Sequence, residues 1–482
     1  MKKEWLSAPR WKAAILPLCF VFSAFINLGF YYLGLAFKDN LARTAGFLLG
    51  SVLFALLCGL TVLTVLRQAK FSKRTWLFLA AVPLFFAVCF GASLVKHGMN
   101  GTVVSMLGKC VILAMPSFLA GICGAAWRTV GSFFQVMEKL SFFSFPAALI
   151  YLNGALFNCN PFNYGRSLGM IGYMTFSYTI MPVLLAHIIR FADRAPMKLP
   201  FHKGTVRHPQ LLRGVFIAVY WLAIIASGTR GTYICVACFC ALLVLSRLIH
   251  REAVKPAFLL SAAMAVVLLF NMFIYAPPGF YAVQRMNMFL EGLKQGELVT
   301  FQEDDEVRER LDDLVADNSG GQVANRPETP GTQPAEPPED TEPTGPSDNV
   351  AEENLQIGNR GTLFKLAFKE FLKSPLTGMG AMAYTIKYGM YPHSVILELL
   401  CETGLVGFVI LMGLILYALI RLLLIGWKNR EVRYFLLFLL AFAVKANISG
   451  ALWDCAPLLC ALGYGIAVSP LEKAAPCREG TQ

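Results

Sequence analysis

Charge is scarce in this chain: only 15% of its 482 residues are Asp, Glu, Lys or Arg, while 56% are hydrophobic. A soluble chain usually carries about 25% charged residues, so the composition excludes an ordinary soluble enzyme. Paired metal ligands are lacking as well. The six histidines are scattered, no two share a helix face at ligand spacing, and no cysteines have zinc-site spacing. The acidic pair Asp304-Asp305 falls in a stretch with too little apolar content to hold a cation. Most of the 13 cysteines lie inside apolar runs, among them Cys58, Cys110, Cys235 and Cys240. There they act as small hydrophobes, and no disulfide framework is readable. No internal repeat is evident. No small-residue cleavage site follows the first apolar run, which continues from the basic residues Lys2, Lys3, Arg10 and Lys12 to Phe37. That run reads as a first span and not as a leader.

What is abundant is apolar sequence in blocks of roughly 20 residues, the length needed to cross the hydrocarbon core as a helix. Such blocks occur near 13–37, 44–66, 75–95, 102–126, 141–158, 167–189, 211–227, 231–249, 256–276, 394–424, 432–449 and 453–469. The expected fold is an all-α integral membrane protein with about 12 transmembrane helices and one long extracytoplasmic loop between spans 9 and 10. The organisation follows: a bundle of spans 1–9 over 1–276, the loop over 277–392, spans 10–12 over 393–470 and a cytoplasmic tail over 471–482. Within the fifth block, residues 133–140 also read as an interfacial amphipathic stretch, and the tenth block is long enough to begin outside the bilayer.

Net charge is +12, yet residues 297–353 hold 17 acidic and 3 basic side chains, leaving the remainder at +26. In a membrane protein such basic excess points to cytoplasmic loops and anionic lipid headgroups, not nucleic acid. Placing both termini in the cytoplasm puts loops 67–74, 128–139, 190–213, 247–255 and 421–433 inside, with two to six basic residues each; the alternate short loops carry none to two. The long loop is then outside. Its acidic run at 303–306 and the seven prolines between Pro327 and Pro346 predict disorder over 299–353. Order is expected to return at 359–374, where Phe364, Ala367, Phe371 and Leu372 recur at helical spacing before Ser374-Pro375.

Three cationic or titratable side chains share the expected outer face. Arg230 sits in the short turn Ser227-Gly-Thr-Arg-Gly231, Arg360 opens the amphipathic helix, and His393 stands where the loop re-enters the membrane in Tyr391-Pro-His-Ser394. Arginine grips phosphate oxygens through paired N–H donors, and histidine can take a proton from an attacking hydroxyl. Each residue taken alone is equally an interfacial anchor or a solvated helix-start residue. Lys109 and Lys445 lie inside spans without an evident role.

Three segments together resemble the O-antigen ligase and polymerase superfamily of bacterial membrane glycosyltransferases. They are Ala226-Ser-Gly-Thr-Arg-Gly-Thr232, then Asn359-Arg-Gly-Thr362 running through a helix to Ser374-Pro-Leu-Thr-Gly-Met-Gly380, then Pro392-His-Ser394 with Cys401-Glu-Thr-Gly404. Asn160-Pro-Phe-Asn163 is similar to an outer-loop motif of the same family. Ser394 departs from the family's usual Asn, and 299–353 reads as an insertion. The resemblance implies transfer of a glycan from an undecaprenyl-diphosphate carrier to a hydroxyl of a glycan or lipid acceptor outside the bacterial plasma membrane, with no cofactor or metal. It implies that Arg230 and Arg360 bind the diphosphate, that His393 acts on the acceptor hydroxyl, and that Glu402 orients the site or supports the helix start. A twelve-span secondary transporter or a precursor flippase is the rival reading, and a membrane scaffold or sensor with an acidic partner-binding segment is a third.

Overall fold

The structure is a computed structural model that describes residues 10–34, 51–63, 65, 71–157, 167–168, 171–199, 204–274, 360–453 and 455–468. The described chain is mainly helical, with connecting loops, an isolated bridge between Lys198 and Thr205, and a ladder of two residues per strand in which Ser167–Leu168 pairs antiparallel with Ile171–Gly172. The helices in chain order are α1 (Arg10–Gly34), α2 (Ser51–Leu63), α3 (Lys73–His97), α4 (Gly101–Lys109), α5 (Met115–Ala126), α6 (Val130–Phe157), α7 (Tyr173–Ala192), α8 (Pro209–Ser227), α9 (Arg230–Ile249), α10 (Lys255–Phe273), α11 (Arg360–Lys373), α12 (Ala383–Tyr388), α13 (Val395–Lys428), α14 (Arg430–Ser449) and α15 (Ala456–Ala467). Eight of the described helical runs are long and apolar enough to cross a bilayer: α3, α4 through α5, α6, α8, α9, α10, α13 and α14. Shorter apolar helices cover Lys12–Phe22, Ser51–Leu63, Phe176–Ala192 and Ala456–Ala467. The molecule is a multi-pass membrane protein.

Packing explains why several elements depart from the expected bounds. The fifth span is not preceded by a separate interfacial stretch. It is one 28-residue helix, because Phe133 and Met137 are buried core residues. The Phe133 ring stands edge-on to Phe20 of α1 and to Phe435 and Phe438 of α14, an arrangement that aromatic quadrupoles favour. The sixth span, α7, starts at Tyr173 and not at 167, since Gly169 and Gly172 weaken a helix there and Ser167–Leu168 and Ile171–Gly172 form the small ladder. The last helix is only 12 residues long. It packs hard against α5, where a Cβ on Gly121 would strike Cys460 and Tyr464 backbone, and one on Gly463 would strike Phe118 backbone. Small residues at such a crossing let two backbones approach, the usual basis of helix association in lipid.

At one end of the bundle charge is paired. Glu138 of α6 accepts from Arg190 Nε at 2.8 Å and from Arg213, and His187 Nε2 lies 2.8 Å from Ser141 Oγ. Arg213 sits at the start of α8 and Arg247 near the end of α9. This polar layer is therefore at the opposite end of those helices from Arg230. Arg247 pairs there with Asp193, and Arg433 with Glu252.

The tenth span is broken. Gly404 inside α13 has φ +64° and ψ −169°, a backbone that an L-residue side chain makes costly. Four backbone groups beside the break pair with the segment Pro375–Gly380. Met379 and Gly380 donate to the carbonyls of Cys401 and Glu402 at 2.9 Å each, while Leu405 and Val406 donate to Pro375 and Leu376 at 2.8 and 3.1 Å. Non-helical backbone within a membrane protein survives only where protein covers it in this way. The predicted insertion 299–353, the Asn160-Pro-Phe-Asn163 motif and the tail 471–482 lie outside the described residues.

Candidate functional site

The turn that carries Arg230 is held rigidly. Gly228 takes φ +69° as the left-handed C-cap of α8, the position where glycine ends a helix at least cost. Ser227 Oγ donates to Ile224 O at 2.7 Å and lies 3.2 Å from Thr229 Oγ1, and Tyr233 Oη donates to Ile225 O at 2.9 Å. Arg230 then opens α9 and is exposed. The next residue, Gly231, has no room for a side chain: a Cβ would meet Tyr178 Oη of α7 and lie 3.3 Å from Ile448 Cγ2 of α14.

His393 is placed by a different device at the same end of α14. Its φ is +59°, uncommon for a residue with a side chain and sustained only where neighbours fix it. On one side its ring lies 4.2 Å from that of Tyr391, centroid to centroid, at 47°. On the other side Ser394 caps α13, its Oγ accepting from Leu397 N at 3.4 Å. Asn447 of α14 accepts from Ser394 Oγ at 3.4 Å and from Ile396 N at 3.3 Å, and its own amide donates to Ala443 O. Asn447 and Ile448 are consecutive, so the Arg230 turn and the His393 step flank one turn of α14.

Glu402 is buried at the core of the broken helix. Its Oε2 accepts from Met382 N at 2.8 Å and from Trp453 Nε1 at 2.6 Å, tying the 380s segment to the loop before α15. Glu398, one turn earlier, accepts from Leu452 N at 2.5 Å. Lys96 and Ser93 of α3 secure the other side of the same segment, donating to the carbonyls of Met379 at 2.7 Å and Ala381 at 2.5 Å.

Arg360 is the first residue of α11; its side chain lies outside the described set. The helix it opens is clamped onto α12 and α13. Leu366 and Ala367 bury against Tyr384 and Cys401, and Tyr384 Oη donates to Leu363 O at 3.0 Å. Glu370 accepts from Lys373 at 2.7 Å, Lys387 at 2.9 Å and Tyr388 Oη at 2.7 Å. Burial alone raises the Glu370 carboxyl, but these three donors outweigh it and hold the group down at about 2. Burial, reinforced by Glu370, pushes the Tyr388 phenol up to about 12.

Between these pieces lies a cavity of about 730 Å³. Met382, Thr385 and Tyr391 contribute to its wall from the docked loop, Tyr178 from α7, Lys445 from α14 and Lys109 from α4. Tyr391 links it to His393, and Tyr178 links it to the Arg230 turn. The Lys445 ammonium sits 4.6 Å from the centroid of the Tyr178 ring. Lys109 and Lys445 are the cavity residues to which sequence reasoning assigned no role. The signal was present, because an ionisable residue inside a span carries a cost that function usually explains. Among the described residues no cluster of three metal-ligating side chains exists.

The family comparison covers α8 from Val215 through the first part of α13, and so contains Arg230, Arg360, His393 and Glu402 but neither cavity lysine. A comparison with curated proteins found no match. Residues 215–412 match the family model described as O-antigen ligase, so this part of the chain is similar to the O-antigen ligase family of membrane proteins.

Proposed function

We propose that the protein transfers a glycan from an undecaprenyl-diphosphate carrier to an acceptor hydroxyl at the extracytoplasmic face of a bacterial plasma membrane. In this reading twelve helices span the bilayer, both termini are cytoplasmic, and the Arg230 and His393 end faces outward. The acceptor oxygen attacks the anomeric carbon and its proton passes to His393, while the bond from that carbon to the diphosphate oxygen breaks and the lipid diphosphate leaves. Arg230 and Arg360 supply positive charge to the leaving group, the electrostatic stabilisation that a preorganised site provides without a metal. Glu402 acts through the backbone it holds and positions the loop that carries His393.

The observation that carries this reading is the convergence of two separately rigidified steps, Ser227-Gly-Thr-Arg230 and Pro392-His-Ser394, on one turn of α14 beside one cavity. The test is a transfer assay with purified protein and an undecaprenyl-diphosphate-linked oligosaccharide, comparing wild type with His393→Ala and Arg230→Ala. Product from wild type and at least a hundredfold less from each variant is expected, since general-base and charge-stabilising groups typically contribute about 10²–10⁴. A ladder of products would identify a polymerase and a single addition a ligase. Undiminished transfer by folded His393→Ala would sink the mechanism, and translocation of the carrier without transfer would favour the flippase.

A further inference from the structure

The cavity contains more than the family motifs require. Its described wall carries two lysines and no acidic residue. Lys109 lies eight residues into the α4–α5 run, about 12 Å from its start by helical rise, and Lys445 lies four residues, about 6 Å, before the end of α14. Lys109 also immediately precedes a π turn over Cys110–Ala114. Such a turn inserts into a helix at some cost and frequently marks a functional site. Thr102, Ser105, Ser117 and Ser449 line the same space. The volume falls within the range of small-ligand pockets.

From this arrangement we infer that Lys109 and Lys445 form a phosphate-binding subsite within the bundle, occupied by the diphosphate of the polyprenyl carrier. The inference rests on the donor class proposed above and adds two residues outside the segment that matches the family. An ammonium is a compact charge with three donors suited to phosphate oxygens, and in a partly dehydrated cavity its attraction for an anion is stronger than in water. Much of the wall is made of helices long and apolar enough to span a bilayer, so the anion is assigned to a lipid phosphate and not a free one. The cation–π contact with Tyr178 holds the Lys445 head beside the Arg230 turn, so the subsite abuts the end where transfer is proposed.

Binding without turnover tests this separately from the reaction. Full-length protein in nanodiscs of zwitterionic lipid would be titrated with polyprenyl diphosphate lacking a glycan, using wild type, Lys109→Gln, Lys445→Gln and the two Lys→Arg variants, each first checked for a wild-type thermal transition. Each Gln variant should bind about tenfold more weakly, the loss of one charge-assisted bond, and each Arg variant should recover most of the affinity. Wild-type affinity in both folded Gln variants would overturn the subsite. Phosphatidylglycerol competing as well as the carrier would overturn the assignment to the carrier and leave bulk anionic lipid as the occupant. Lysine-dependent binding in a protein that transfers nothing would count against the proposed reaction alone; efficient transfer with lysine-independent binding would count against the subsite alone.

Discussion

Single side chains and single backbone angles set the local geometry here. Gly404 combines φ +64° with a Cβ position that would run into the Leu376 carbonyl and Gly378 N. Gly404→Ala should therefore destabilise the protein by about 2 kcal/mol or more, read as a lowered midpoint in a detergent melting curve. Glu402 makes a sharper pair of variants. Glu402→Gln keeps an acceptor for Met382 N and Trp453 Nε1 and should retain most of the stability. Glu402→Ala leaves two buried donors without it, at roughly 1–3 kcal/mol each, and should melt lower and lose transfer together. Equal behaviour of the two variants would show that the carboxylate's hydrogen bonds do not hold the loop.

Elements add what no residue supplies alone. The docking of α11 on α12 runs through Glu370, whose carboxyl lies at about 2 in the folded protein against an ordinary 4.5. The folded state thus takes up this proton less readily than the unfolded one. Its stabilisation, on the order of 3 kcal/mol, is complete above about pH 4.5 and fades as pH falls towards about 2. Amide exchange over α11 and α12 should speed up through that window in wild type and show little further acid dependence in Glu370→Gln. At the other side of the bundle, the α5–α15 crossing depends on Gly121 and Gly463. Gly463→Leu should separate those helices and reduce recovery of folded protein, measured by size-exclusion profile, because backbone and not a movable side chain occupies the space.

At the scale of the whole molecule, orientation and the long acidic segment are the features to test. Cysteine labelling with a membrane-impermeant reagent should reach positions in 96–101 from outside and positions in 67–74 and 247–255 only after permeabilisation, following the basic bias of the latter pair. The reverse pattern would invert the proposed topology and move the site to the cytoplasm. Deletion of 299–353 should leave transfer within severalfold of wild type, since the site residues lie outside it. Loss of all activity in an inserted, folded deletion variant would instead favour the scaffold or sensor reading.

Hydropathy alone determined that this is a membrane protein, because a run of apolar residues long enough to span hydrocarbon is a one-dimensional property. The motif residues Arg230, Arg360 and His393 stand out in the sequence through the resemblance, since each taken alone reads equally as an interfacial or helix-start residue. What the linear pattern left open was every relation between distant segments. Gly378 and Gly404 stand in separate motifs of the sequence; only the fold shows that the Pro375–Gly380 strip fills the gap that Gly404 opens in α13. Residues 133–140 read as interfacial because their outward neighbours were invisible, whereas Phe20 and Phe435 make Phe133 core. Lys109 and Lys445, 336 positions apart in the numbering, became one cavity wall only in three dimensions. Local propensity and hydropathy act along the chain, while packing and the pairing of freed backbone groups act between segments that only the tertiary structure brings together.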